Sequence, residues 1–114
     1  MTPSVKKLRE IFGDNAAAAK QILQMTRAQL LQLPAGAARE RECYHPPRTW
    51  DIRMECLNEI GGFYGVEGID ATFRGKRVWM EYLNAGDTYA PTLVRFNGRY
   101  RVSSWGDIVE RYDS

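Results

Sequence analysis

The spacing of the apolar residues changes near residue 64, and this change constrains the fold more than any other feature of the chain. Before that point, apolar residues recur every three to four positions, as on one face of a helix. After it they alternate, as in strands that bury one face. Helices followed by strands favour an α+β fold with helices packed on an antiparallel meander sheet. At 114 residues, the chain has room for one domain with a modest core.

Helices are predicted over residues 1–33. Thr2 followed by Pro3 is typical of a helix start, with Thr2 as the N-cap. Gly13 is expected to end this first helix. The alanine-rich segment after Gly13 is strongly helix-forming, so a second helix follows directly.

The segment around Thr26 has two interpretations. Thr26 and Gln29 have the spacing of a capping box, which indicates a separate short helix; the alternative is one continuous helix over residues 15–33. A capped break between helices is also similar to the spacing of a helix-turn-helix DNA-binding motif. In that case the residues left to read bases are Arg27, Gln29 and Gln32. The usual glycine in the turn is missing, and burial is indicated instead by Leu30, Leu31 and Leu33.

A connecting loop is predicted over residues 34–48, because helix-breaking residues recur in it: Pro34, Gly36, Pro46 and Pro47. Thr49 is expected to cap a long helix over residues 49–64. The apolar stripe of this helix consists of Trp50, Met54, Leu57, Ile60, Phe63 and Tyr64. A stripe of this width predicts that the helix packs on one face of the sheet.

Four strands are predicted, over residues 65–74, 77–83, 91–96 and 99–105. The first connection is expected at Gly75–Lys76. Asn97–Gly98 is the strongest hairpin signal in the chain and predicts a two-residue type I′ turn. Asp107 and Glu110 have capping-box spacing, which predicts a last helical turn after the sheet.

The loop over residues 84–90 and the end of the fourth strand lie at the same end of such a meander. The segments that contain Gly86–Asp87 and Gly106–Asp107 are therefore expected to be neighbours, and the candidate site residues there are Asp87, Thr88, Tyr89, Trp105 and Asp107. Two carboxylates near hydroxyl groups could support acid/base chemistry or hold a metal. The structural interpretation is stronger, with Asp87 setting an Asx-turn and Asp107 capping the last helix.

A second candidate surface follows from the register of the last hairpin. A two-residue turn places Phe96 opposite Arg99 and Val94 opposite Arg101, on the same face as Thr92 and Ser103. We expect this face to be exposed, whereas Leu93, Arg95, Tyr100 and Val102 face the core. Arginine beside an aromatic ring is typical of protein-binding hot spots and of base-stacking platforms. Cross-strand cation–π packing on a solvated face is the alternative.

Other catalytic patterns are absent from the sequence, which has no nucleophile elbow, P-loop, zinc-protease motif or dinucleotide fingerprint. Cys43, His45 and Cys56 are too few for a structural zinc site, so we expect free thiols and no metal or cofactor. The chain has no apolar run of membrane-spanning length and no export signal at its start, and a cytoplasmic protein is expected.

The charge distribution separates the chain into basic flanks and an acidic middle over residues 40–73, although the net charge is only +2. Such a pattern indicates internal charge complementarity or separate faces of opposite sign. Opposite faces could also pair between two copies, so a homodimer is one possibility. A net charge of this size does not by itself predict binding to nucleic acid.

Several segments taken together carry a resemblance: CYHPP, LNEI, YGVE, YLNAGDTYAPTL and SSWGDIVE, which lie within residues 43–110. Their combination resembles small, mostly uncharacterised proteins encoded by bacteriophages and prophages. The resemblance implies an origin rather than a reaction. Small phage accessory proteins often inhibit host defence systems, as anti-CRISPR proteins and other counter-defence factors do, and they commonly act by occupying a protein surface.

The resemblance and the missing catalytic motifs lead to one expectation: a non-enzymatic accessory protein that binds a host or phage protein in the host cytoplasm. A DNA mimic is disfavoured, because such mimics are strongly acidic and this chain is slightly basic. The alternative is a small nucleic-acid-binding or regulatory protein. A small enzyme that uses Asp87 and Asp107 is the third hypothesis.

Overall fold

A computed structural model describes residues 2–34 and 52–107. The chain has an α+β fold, in which helices pack on a four-stranded antiparallel sheet and a short helical turn follows the last strand. The helices are α1 (Val5–Phe12), α2 (Ala16–Gln24), α3 (Arg27–Leu31) and α4 (Ile52–Gly61). The strands are β1 (Gly65–Phe73), β2 (Lys76–Asn84), β3 (Thr92–Phe96) and β4 (Arg99–Ser103). In the described segments no helix has the length and hydropathy needed to cross a membrane.

The first helix begins later than predicted. Its N-cap is Ser4, whose hydroxyl accepts a hydrogen bond of 3.3 Å from the backbone N–H of Lys7. The prediction of Thr2 as the cap is therefore wrong, because Pro3 lies outside the helix rather than at its first position. The end of α1 at Gly13 agrees with the prediction, and this glycine has a φ of +57°. A single 3₁₀ turn, Gly13–Asn15, then leads into α2.

The break at Thr26 is confirmed. The Thr26 hydroxyl accepts from the N–H of Gln29 at 3.2 Å, and the Gln29 side chain accepts from the N–H of Thr26 at 2.9 Å. These two bonds satisfy donors that a helix start leaves open. The resulting helix α3 has only five residues, and Leu30 is fully buried on it. A helix of five residues is short for the recognition helix of a helix-turn-helix motif, although Arg27, Gln29 and Gln32 are exposed.

Helix α4 is shorter than predicted at its C-terminal end. It stops at Gly61, and Gly62 follows with a φ of +65°. Phe63 and Tyr64 therefore lie beyond the helix. The predicted cap at Thr49 and most of the predicted connection over residues 34–48 fall outside the described residues.

The sheet is a simple meander with the strand order β1-β2-β3-β4. The last hairpin has the predicted register, with Phe96 opposite Arg99 across Asn97–Gly98. Both turn residues have positive φ, which a type I′ turn requires. The first hairpin turns at Arg74–Gly75 rather than at Gly75–Lys76, because Arg74 adopts a φ of +51°.

The helices cover one face of the sheet, which we call the helix face. Leu83 and Leu93 are fully buried there and belong to the same cluster as the apolar residues of the helices, including Leu8, Leu30 and Leu57. Tyr100 packs against this cluster, as the sequence predicts for its face of β4. Side chains on a strand alternate between faces, so their neighbours point to the opposite side.

The second face of the sheet carries its own apolar cluster. Its buried members are Ala71, Met80, Tyr82, Val94 and Phe96, and Ile69, Val78 and Trp105 pack against them. Within the sheet, Met80 pairs with Phe96 and Tyr82 pairs with Val94. The sheet is thus apolar on both sides at its centre.

Candidate functional site

The predicted neighbours at one end of the sheet do meet. The backbone N–H of Gly106 donates to the carbonyl of Thr88 at 2.8 Å, and the N–H of Tyr64 donates to the carbonyl of Asn84 at 2.9 Å. These bonds tie the β2–β3 loop to the segments on either side of it. We call this region the corner and define it as Tyr64, the loop over residues 85–91, and residues 104–107.

Two side chains shape the loop of the corner. The Asn84 side chain accepts from the N–H of Gly86 at 2.9 Å, and Asp87 accepts from the N–H of Tyr89 at 3.0 Å. Both are Asx-turns, in which a short side chain replaces a backbone acceptor. The prediction that Asp87 sets the turn is confirmed.

Tyr64 and Tyr89 each lie against a glycine of the corner. A Cβ on Gly86 would lie 2.5 Å from Cε2 of Tyr64, and one on Gly106 would lie 2.5 Å from Cε1 of Tyr89. Only glycine lets the rings approach the backbone this closely. Yet the rings are 85% and 72% exposed, respectively. The corner therefore presents two aromatic rings that are supported from below and open to solvent above.

A concavity of about 200 Å³, the corner pocket, opens in the same part of the molecule. Its lining combines the loop with the end of β2 and the last helical turn, and includes Tyr82, Asn84, Asp87, Thr88, Thr92 and Trp105. Small-molecule sites usually have volumes of about 300–1,000 Å³. The corner pocket is smaller than that range and suits a single side chain of a partner.

A hydrogen-bonded network holds one wall of the corner pocket. Tyr82 donates to Glu67 at 2.5 Å, and the Asn84 amide donates to the other carboxylate oxygen at 2.7 Å. The bond from Tyr82, and then that from Asn84, lowers the pKa of Glu67 below its ordinary value. Burial, reinforced by Glu67, raises the pKa of Tyr82. These interactions therefore favour Glu67 as a carboxylate and Tyr82 as a neutral phenol.

Trp105 forms the other wall of the pocket. Its ring stacks on that of Tyr82, with 4.6 Å between the centroids and 23° between the planes. This offset packing joins the helical turn to the sheet. Ser104 caps the turn, since its buried hydroxyl accepts from the N–H of Asp107 at 3.2 Å. The prediction of Asp107 as the cap is therefore wrong, because the turn starts three residues earlier. Glu110 lies outside the described residues.

The arginine–aromatic face of the last hairpin needs a correction. Arg99 and Arg101 are exposed as predicted, but Val94 and Phe96 are buried in the cluster of the second face. An exposed platform of Phe96 beside arginine, for protein or for bases, is therefore not formed. The two arginines alone are left as candidate contacts.

The groups considered for chemistry are described only in part. Asp87 and Asp107 are both exposed, and Asp87 is engaged in its turn. Cys56 is a buried free thiol on α4, whereas Cys43 and His45 lie outside the described residues. Within residues 2–34 and 52–107, no group of three or more His, Cys, Asp or Glu side chains is placed to hold a metal ion.

Sequence reasoning missed Tyr64 as an exposed ring and missed the contact between Glu67 and Tyr82. A turn at Gly75–Lys76 would have placed Glu67 opposite Asn84, whereas the observed turn places it opposite Tyr82. An acidic residue directly opposite a tyrosine in a hairpin is a usable signal once the register is known. Helical spacing places Tyr64 on the apolar stripe of a helix, but that helix ends at Gly61.

Comparison of this chain with models of known protein families, with curated proteins and with solved structures gives no match.

Proposed function

We propose that this chain is a non-enzymatic binding protein that recognises another protein through the corner. The observation that carries the proposal is the exposure of Tyr64 and Tyr89, the large hydrophobic side chains that are exposed among the described residues. Tyrosine is enriched at binding hot spots, where a rigid ring contributes contact area at a small cost in conformational entropy. The glycines beneath the rings let them pack on the backbone before a partner arrives.

The corner pocket supplies a place for an anchor residue of the partner. It includes Gly86, against which Tyr64 lies, and Thr88, which precedes Tyr89 in the chain. Its lining is mostly polar, with Asn84, Asp87 and Thr88 from the loop. A carboxylate at the rim favours a basic or hydrogen-bond-donating side chain. In a binding hot spot, a desolvated anchor residue is surrounded by contacts that exclude water. In this interface the anchor would fill the corner pocket, and the two tyrosines would supply surrounding contacts.

The biological role proposed here follows from the resemblance to phage and prophage proteins. The partner is then a host or phage protein in the host cytoplasm, and the effect of binding is inhibition of a host defence system, as with anti-CRISPR proteins or other counter-defence factors. A net charge of +2 argues against mimicry of DNA and for direct contact with protein.

Affinity capture from host cells tests the role of the corner. The bait is the intact chain, compared with the variant Tyr64→Ala/Tyr89→Ala. Tyr64→Phe/Tyr89→Phe is the matched control, since it keeps both rings. We expect one specific partner to be retained by the wild type and by the phenylalanine variant, and to be lost by the alanine variant. Equal recovery of that partner by all three baits would exclude the corner as the binding surface.

The counter-defence role has a separate test. Phage plating is compared on hosts with and without a defined defence system, each expressing the wild-type chain or the alanine variant. The wild type is expected to restore plating on the defended host, and the alanine variant is expected not to. Failure of the wild type to restore plating against a broad panel of systems, with the protein expressed and folded, would contradict the role in defence while leaving the capture result standing.

A further inference from the structure

A groove of about 400 Å³ runs beside the outer edge of β4, far along the sheet from the loop of the corner. We call it the edge groove. One wall is β4 itself, through Arg99, Tyr100, Arg101 and Val102, and the other is the start of the chain, through Thr2, Pro3 and Lys7. Successive residues of a strand point to opposite faces, so only a groove along the strand's edge is lined by four in a row.

The edge of β4 offers backbone groups for hydrogen bonding. β4 is the last strand in the order β1-β2-β3-β4, and in the described part of the chain its ladder partner is β3. In a hairpin with a two-residue turn, the residues that flank the turn bond to each other, and alternate residues then bond across the ladder. By this alternation Val102 directs its N–H and carbonyl away from β3, toward the groove.

The opposite wall is held in place. The Lys20 ammonium donates to the carbonyl of Pro3 at 2.7 Å, which fixes the segment before α1. The cap at Ser4 then sets the direction of the helix that carries Lys7. The groove therefore has two fixed sides and does not depend on a mobile lid.

The lining of the groove is basic. It contains Lys7, Arg99 and Arg101 and no acidic residue. All three cations are exposed, and none forms an ion pair with a residue in the described segments. Three like charges around one groove repel each other, so an anionic occupant would lower the electrostatic energy.

From these observations we infer that the edge groove binds an extended acidic segment of a partner protein, which adds to the sheet as a fifth strand beside β4. Arg99 and Arg101 are two residues apart and lie on the same face, so they match carboxylates at alternate positions of the added strand. The positions between those carboxylates face Tyr100 and Val102 and favour apolar side chains. The recognised pattern is thus acidic–apolar–acidic–apolar.

A peptide fits the groove better than a nucleic acid does. Single-stranded nucleic acids usually bind where bases can stack on exposed aromatic rings, and Phe96, which lies opposite Arg99 on the same face, is only 9% exposed. A phosphate backbone also makes no use of the strand edge. The inference does not depend on the corner, because the two surfaces share no residue.

Fluorescence anisotropy with short labelled peptides tests the inference at an ionic strength of about 0.15 M. The probe alternates Glu and Val. One comparison peptide has the same composition with Glu and Val in separate blocks, and another is the alternating peptide with its backbone N-methylated at alternate residues. We expect the alternating peptide to bind and both comparison peptides to bind at least about tenfold more weakly. The block peptide lacks carboxylates at alternate positions, and the N-methylated peptide lacks backbone N–H donors.

The protein variants separate local recognition from general attraction. Arg99→Gln/Arg101→Gln should weaken the alternating peptide about tenfold, whereas Lys76→Gln/Arg77→Gln removes the same charge at the far hairpin and should have little effect. Hydrogen exchange should show new protection in β4 when the peptide binds. The inference would be overturned if the block and alternating peptides bound equally well. It would also be overturned if both protein variants lost the same affinity for the alternating peptide. Binding of single-stranded oligothymidylate without binding of the peptide would overturn it too, and would assign the groove to nucleic acid.

Discussion

The ring of Tyr89 lies so close to Gly106 that a Cβ there would come within 2.5 Å of a ring carbon. Gly106→Ala should therefore displace the ring while costing only about 1 kcal/mol of the free energy of unfolding, because the ring is largely exposed and can rotate away. Urea unfolding measures the cost, and NMR contacts between the ring and residue 106 report the displacement. An undisturbed ring in the variant would contradict the proposed support of Tyr89 by glycine.

Gly86→Ala is the informative comparison for that variant. Gly86 lies under Tyr64 at the same Cβ distance, but it also has a φ of +77°. An alanine there adds the strain of a left-handed backbone, about 1–2 kcal/mol. We expect Gly86→Ala to be the more destabilising of the two by about that amount, and equal stabilities would argue against strain at the loop.

The contact between Tyr82 and Glu67 predicts a loss of stability at acid pH. The folded-state pKa of Glu67 is below its ordinary value of 4.5, so its stabilising contribution is present above that value and is lost as pH falls through the folded-state pKa. Glu67→Gln should unfold with a weaker pH dependence below about pH 4.5 than the wild type. Because Glu67 is exposed, solvent screening keeps the effect small. If the variant loses as much stability at acid pH as the wild type, Glu67 is not the source of that loss.

The same contact predicts a loss of stability at alkaline pH. The folded-state pKa of Tyr82 is above its ordinary value of 10.0, so the contribution is complete below that value and declines as pH rises beyond it. Tyr82→Phe removes the titrating phenol, and the stability of this variant should change less with pH above about pH 10. At neutral pH this variant should lose about 1–2 kcal/mol, since it removes a hydrogen bond to a charged group. Spectrophotometric titration of the tyrosines provides an independent check.

Much of the fold was predictable because its signals are local. Asn97–Gly98 specifies a two-residue turn, and that turn leaves a single register for β3 and β4. The capping box at Thr26 likewise depends on residues three apart. The first hairpin was shifted because Arg74 adopts a positive φ that is uncommon for arginine, and nothing in its sequence indicates this.

The candidate site was predictable in position but not in detail. Meander topology alone brings the loop of Asp87 beside Gly106. The burial of Phe96, in contrast, is not indicated by the hairpin itself, in which Phe96 lies opposite the exposed Arg99. The contact of Tyr64 with Gly86 joins distant segments, and alternation or helical spacing carries no signal for it.

Glu81 is a buried carboxylate on the helix face, and it should matter more for stability than an exposed counterpart. It is fully buried and lies 3.4 Å from the Arg95 guanidinium, and the indole N–H of Trp79 donates to it at 3.0 Å. Glu81→Ala should cost about 3–5 kcal/mol, because it leaves the largely buried arginine without this partner. The change is measured by urea unfolding with a double-mutant cycle against Arg95→Ala.

The pair of Asp70 and Arg77 is the control for that experiment. Its atoms are closer, at 3.1 Å, but the side chains are 60% and 80% exposed. Asp70→Ala should therefore cost less than about 1 kcal/mol, and added salt should reduce the coupling further. Similar costs for Asp70→Ala and Glu81→Ala would mean that burial does not determine the contribution of Glu81.

The capping box of Thr26 and Gln29 predicts the stability of the short helix α3. Thr26→Ala removes the hydroxyl that accepts from the N–H of Gln29 and should lower the free energy of unfolding by about 1 kcal/mol. Thr26→Ser keeps an acceptor at the same place and should recover most of that loss. Hydrogen exchange at Gln29 locates the effect, since its N–H loses its partner only in the alanine variant. If Thr26→Ser is as unstable as Thr26→Ala, the methyl group rather than the hydrogen bond stabilises this helix start.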